Sequence, residues 1–203
     1  MAIIGVSKPY AAVYSATAGV VTYSDGLIMG KLTEVNIEIE SSEDNNLYAD
    51  NTIAETDRQF TGGTLTIAPD DLSSDVSATI LGITPTTLTE VPGITDSNAE
   101  ELIYNNTQAI PYLGVGFIVK KMVGGAIKWR GIVLTKVMFS VPSDAAVTQG
   151  ETIEWQVPEL TATIMRDDTG TQTWKREATF TTEAQAEAYI KYVLGMVTES
   201  SGS

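Results

Sequence analysis

Residues 34–40 read Glu34-Val35-Asn36-Ile37-Glu38-Ile39-Glu40, apolar on one side of a two-residue period and acidic or polar on the other, the pattern of a half-buried β-strand. A second run, Phe60-Thr61-Gly62-Gly63-Thr64-Leu65-Thr66-Ile67, alternates in the same way toward its end. Between them lie residues 41–59, far more than the two to five that a hairpin connection needs. A structureless connection above ~12–15 residues is uncommon in a compact domain unless it has a task or is disordered. This acidic stretch cannot form a core of its own, yet it carries Leu47, Tyr48 and Ile53, which a purely solvated linker would avoid. It is expected to be an arm that docks on something.

Outward from this pair, strands dominate. Tyr10–Tyr14 and Val20–Tyr23 read as a first hairpin, followed by a turn at Asp25-Gly26. Tyr112–Val123 and Lys128–Ser140 form the clearest hairpin, joined through Gly124-Gly125. Glu151–Val157 and Leu160–Arg166 follow, interrupted by Pro158, and Asp167-Asp168-Thr169-Gly170 turns into a strand at Thr173–Phe180. Two short helices are expected. One opens at Pro69-Asp70-Asp71, buries Leu72, Val76, Ala78 and Ile80, and stops at Gly82. The other is capped by Thr182, runs Glu183–Leu194 with Ala186, Tyr189, Ile190 and Val193 on one face, and ends at Gly195. Residues 83–98, rich in Thr and Pro, read as a loop or edge strand. The fold class is mainly β, a β-sandwich or half-barrel with one or two short α-helices against it.

Composition narrows the function. A chain of 203 residues buries roughly 70% of its unfolded surface as one domain, so a single domain over 1–195 with a flexible tail at 196–203 is expected. With no Cys there is neither a disulfide framework nor a thiolate metal site. The apolar opening of the chain is too short for a signal peptide, and no apolar run approaches the ~18 residues of a membrane span. With no His, the commonest general base and metal ligand is missing, which excludes Ser-His-Asp and Cys-His catalysis. Asp44 and Glu55 occupy the first and last positions of a twelve-residue frame resembling a calcium loop, but Ala49 stands where its sharp turn needs Gly and Tyr48 at a ligand position. Gly114-Val115-Gly116 lacks the rest of a dinucleotide fingerprint and reads as close packing in a strand. No catalytic, cofactor-binding or metal-binding residue is therefore expected, and the chain is not expected to be an enzyme. A net charge of −14 argues against a surface that grips nucleic acid; Lys120-Lys121 and Lys128 with Arg130, the nearest to a basic patch, read as the solvent side of a hairpin. The same charge does not exclude a conduit that DNA traverses without sticking, where like charge on the wall is an advantage.

The opening Ile3-Ile4-Gly5-Val6-Ser7-Lys8-Pro9-Tyr10, the Glu38-Ile39-Glu40 strand running into residues 44–51, the 60–71 run, Trp129-Arg130 to Phe139-Ser140, Gly150–Trp155 and Thr173-Trp174-Lys175 come in an order that resembles the major tail proteins of phages with long, non-contractile tails. The resemblance covers nearly the whole chain, and it lies in the ordered set rather than in any one motif. It implies a tail-tube-like fold and a structural virion protein, assembled in the host cytoplasm, that polymerises as stacked hexameric rings into the tail tube, a conduit for DNA ejection. It implies as partners further copies of the chain, the tape-measure protein, and the tail terminator and tail-tip proteins, with DNA only as passing cargo, no membrane and no cofactor. Residues 41–59, an N-terminal arm at 1–9 and the segment beyond Gly195 would make contacts between subunits. Leu47, Tyr48, Asp50, Ile53, Phe60 and Tyr10 are the residues expected at those contacts.

The polar face Glu34, Asn36, Glu38 and Glu40 is expected to line the lumen, although the alternation alone fits an outer solvated face equally well. Trp129, Trp155 and Trp174 read as core or interface residues before they read as a sugar-stacking platform, and Met122, Met138 and Met165 as gap fillers. Two other classes compete: a monomeric carbohydrate-binding or adhesion β-sandwich, and a glycosidase-like enzyme with two carboxylates in a cleft. The inner tube of a contractile injection machine is a structural variant of the same reading.

Overall fold

The computed structural model describes residues 2–50, 52–88, 92–93, 99–143, 148 and 157–196. Residues 151–156 of the expected strand at Glu151–Val157, with Trp155, and the tail beyond Met196 lie outside them. The chain is mainly β, and its described residues include two helices packed on a large antiparallel sheet.

Strands β1 (Ala2–Thr17) and β2 (Val20–Ile28) form the first hairpin, turning at Ala18-Gly19 where both residues have positive φ. Asp25-Gly26 is not a turn. It forms a bulge inside β2, Asp25 taking φ 49°, because two residues of β2 between Ser24 and Leu27 stand against the single Ala12 of β1. Residues 2–9, expected within an N-terminal arm at 1–9 that contacts other subunits, belong to β1, which pairs with β9 (Leu113–Val123), Ala2 opposite Met122 and Val6 opposite Val119. Unpaired, the outer edge of β9 would leave its backbone groups unsatisfied, and this apolar opening segment closes it.

Strand β3 (Leu32–Ser41) pairs with β6 (Phe60–Pro69) in the register the alternation demands: Val35 stands opposite Ile67, Ile37 opposite Leu65 and Glu38 opposite Thr64. Residues 41–59 are not structureless. Strands β4 (Asn45–Ala49) and β5 (Thr52–Asp57) pair as a two-stranded ribbon. It is tied to β3 and β6 by a hydrogen bond from Ser42 N to Gln59 O (2.8 Å), one from Gln59 N to Ser42 Oγ (3.0 Å), and an Asp44–Arg58 ion pair.

Helix α1 (Ser74–Leu81) starts later than Pro69, because the Ser73 hydroxyl caps it by accepting from Val76 N, and it ends at Gly82 with φ 66°. Two short strands, β7 (Thr86–Thr87) and β8 (Glu100–Glu101), pair with each other. β9 and β10 (Ala126–Phe139) turn through Gly124-Gly125, both at positive φ as a tight hairpin requires. β10 then splits its other edge: residues 129–134 pair with β12 (Lys175–Phe180) and residues 136–139 with β11 (Leu160–Met165). Helix α2 (Glu183–Val193) is capped by Thr182 and closes the described chain.

The sheet order is β2-β1-β9-β10-β11-β6-β3, with β12 attached to β10. The sheet curls so that its two halves face each other. Leu65, Ile67, Leu113, Val115, Leu134, Phe139 and Ile164 fill the interior with α1 over them. At one end Phe117, Val119 and Ile132 meet Val35 and Ile37 across the gap. On the outer face of β9 and β10, α2 lays Ala186, Ile190 and Val193 against Ile118 and Val133. Gly114, Gly116 and Gly131 make that approach possible: a Cβ on Gly114 would lie 2.7 Å from Leu194 Cδ2, and one on Gly116 2.5 Å from Ile190 Cγ2. These glycines are close-packing positions, as the missing fingerprint implied.

Candidate functional site

Three features stand apart from what the core requires. The first is the ribbon of β4 and β5. Leu47 is 59% and Ile53 54% exposed, although apolar side chains on a strand pair are normally turned to a core. Asp50 holds the tip with φ 49°, and the Tyr48 backbone stands opposite Ile53. The Tyr48 side chain lies outside the described residues. Glu43, Asp44, Asp50, Glu55 and Asp57 against Arg58 alone leave residues 42–59 with a formal charge of −4. Asp44 is engaged by Arg58 rather than positioned with Glu55, which sits on another rung opposite Leu47.

The second is the outer face of β3, β6 and β11. Glu34, Asn36, Glu38 and Glu40 are all exposed, and the ladder continues their row as Glu38–Thr64–Thr163 and Asn36–Thr66–Thr161. Val35 and Ile37 point the other way into the core. Of the expected lumen residues, all four therefore share one acidic and hydroxyl-bearing surface that neither helix contributes to burying. Ile39 is the exception on the apolar side, 44% exposed where β3 runs on toward the ribbon. The third feature is the two end strands of the sheet path, β2 and β3, each paired on one side among the described residues. Val20 and Ile28 on β2 are 63% and 51% exposed.

The chain matches no protein-family model and no curated protein. Function must be read from its own residues.

Tyr10 and Phe60, expected at subunit contacts, lie within this chain's packing. Tyr10 is 5% exposed under α2, where its hydroxyl donates to Glu187 Oε1 (2.8 Å); burial first, then that carboxylate, pushes its pKa up to about 12. Glu187 also accepts from Lys191 Nζ (2.7 Å) and from Lys8, and these donors, Lys191 first, lower it to about 2. This network fastens β1 to α2. Phe60 stacks on Trp174 with centroids 4.5 Å apart and planes 2° from parallel, and the Arg166 guanidinium lies 5.9 Å from its centroid. A shallow cleft of about 420 Å3 opens here at the ribbon's root, lined by Gln59, Arg166 and Gln172 among others. Phe60 and Trp174 each cover one face of the other, and Trp129 lies under the Lys120 ammonium (5.1 Å).

The sequence reading misplaced two groups. Met122 and Met138 are 44% and 37% exposed instead of filling gaps, because each falls on the outward rung of its strand. The bases of the β9–β10 hairpin are not on a solvated face: Lys121 is only 7% exposed, and Lys120, Lys128 and Arg130 are half-buried. Local alternation cannot reveal this, since their burial comes from β1 and β12 on either side.

Proposed function

We propose that this chain is a structural subunit that self-assembles, a tail-tube protein of a phage with a long, non-contractile tail, stacking as rings around a lumen through which DNA passes. The observation that carries the proposal is the projecting ribbon with Leu47 and Ile53 on its surface, since exposed apolar groups on an acidic arm are stabilised by docking on another surface and not by the subunit's own core. Two further features support it. The end strands β2 and β3, each paired on one side among the described residues, offer backbone donors and acceptors, the means by which sheets of neighbouring subunits join into a continuous barrel. The row Glu34, Asn36, Glu38, Glu40 with Thr64, Thr66, Thr161 and Thr163 suits a lumen wall, where carboxylates repel a phosphate backbone and keep cargo moving. In this reading the partners are further copies of the chain and the tape-measure, terminator and tip proteins, and the chain does no catalysis. Electron microscopy of the purified protein across concentration and salt tests it: hollow tubes or rings with a regular repeat are the expected result. A persistent monomer that binds a glycan would replace it with an adhesion module.

A further inference from the structure

The interior face of the β9–β10 hairpin and the adjoining β12 carries four cations, Lys121, Lys128, Arg130 and Lys175, and one carboxylate, Glu177. Lys121 stands directly opposite Lys128 in the ladder, a like-charged pair that destabilises a sheet. Arg130 lies two residues further along β10, with Thr179 of β12 beside it and Glu177 next on that strand. Glu177 accepts from Lys175 (2.7 Å), lies 3.9 Å from Arg130, and is held below the ordinary carboxylate range chiefly by Lys175, with Arg130 and Lys121 adding to it. Lys121, Lys128, Arg130 and Lys175 against Glu177 leave a formal +3 on a chain of −14. Lys121 and Lys128 make no salt bridge among the described residues, and Arg130 Nε is buried with no hydrogen-bond partner among them. Concentrating unpaired charge in a half-buried place is unfavourable for the subunit alone, so the cluster is best explained by an anionic group that arrives from outside. Apolar side chains border it. Ile3, 66% exposed, stands in the same rung as Lys121 and Lys128, and Val123, 41% exposed, stands two rungs further on the same face.

An acidic partner that also offers apolar side chains fits this end of the hairpin, and the chain contains one. Its ribbon carries a formal −4 together with exposed Leu47 and Ile53. We infer that the basic end of the β9–β10 hairpin, centred on Lys121, Lys128 and Arg130, is the acceptor for the β4–β5 ribbon of a second copy of this chain. The inference rests on the self-assembly reading and names the surface that receives the arm. Opposite charges at both faces set the register of docking, while the bordering apolar groups exclude water.

The decisive test uses the full-length chain with Lys128→Glu, with Glu55→Lys, and with both, comparing thermal unfolding with the critical concentration for assembly by sedimentation and microscopy. Lys128→Glu turns the Lys121–Lys128 repulsion into an attraction, so the subunit's Tm should rise by about 1–3 °C. Its assembly should nonetheless weaken, with the critical concentration rising by roughly tenfold or more. Glu55→Lys should weaken assembly to a similar degree, and the double variant should recover most of the loss by restoring complementary charge. Assembly of Lys128→Glu at the parental concentration would overturn the inference, as would loss of assembly in Lys128→Glu with Glu55→Lys unaffected, or a double variant no better than either single one. Loss of binding to a DNA oligonucleotide in Lys128→Glu, with assembly unchanged, would also overturn it and assign the cluster to a phosphate backbone. A parental chain that never assembles would overturn the self-assembly reading itself, an outcome distinct from a parental chain that assembles regardless of these charges.

Discussion

Ile190 of α2 lies so close over Gly116 of β9 that a Cβ at position 116 would sit 2.5 Å from its Cγ2. The atom in the way belongs to a β-branched side chain, fully buried and pinned between helix and sheet, so it cannot swing aside. Gly116→Ala should therefore destabilise the subunit by about 1–3 kcal/mol, seen as a lower urea midpoint. Ile190→Ala should cost about 2–5 kcal/mol by itself, but the double variant should lose less than the sum of the two, because removing Cγ2 makes room for the new methyl. Strict additivity would mean that the contact does not govern helix placement.

Glu187 links β1 to α2 through Tyr10, Lys8 and Lys191, and its pKa falls from an ordinary 4.5 to about 2. A depressed carboxylate stabilises the fold above its unfolded pKa, and that contribution is lost as pH falls through the folded value. The melting temperature of the parent should thus exceed that of Glu187→Gln at neutral pH. The gap should close between roughly pH 4.5 and 2, with a modest amplitude since the site is partly solvated. A gap that stayed constant down to pH 2 would remove the ionised carboxylate as its cause.

Leu47 and Ile53 contribute little to the subunit's own core, so Leu47→Ser and Ile53→Ser should each shift unfolding free energy by less than about 0.5 kcal/mol. Both should weaken tube or ring formation. Parental assembly by both variants, measured by light scattering at matched concentration, would count against the ribbon as a docking element.

Salt should favour assembly. Six copies at −14 each would bring −84 formal charges into the proposed ring, and their mutual repulsion is screened over a Debye length of ~10 Å near 0.1 M salt. Ion pairs in direct contact are screened less, so raising salt relieves the repulsion before it loosens the docking. Light scattering that fell steadily with added salt would contradict this balance.

Much of the architecture was legible in the amino-acid order because its causes are local. A two-residue period dictated which sides of β3 and β6 face the core, Gly124-Gly125 supplied the positive φ of a tight hairpin, and Thr182 capped α2 at the expected residue. The absence of His and Cys likewise excluded whole classes of chemistry before any fold was known. Other features were decided by pairings between residues far apart in the chain. Residues 2–9 became a strand because β9 lies alongside, Tyr10 was buried because α2 returns over it, and Asp25-Gly26 became a bulge because β1 imposed its register. Lys121 and Lys128 illustrate the physical reason most clearly. Each follows an ordinary hairpin pattern, and only the ladder that sets them opposite one another, with β1 and β12 closing in on either side, turns two solvent-like lysines into a half-buried cationic site.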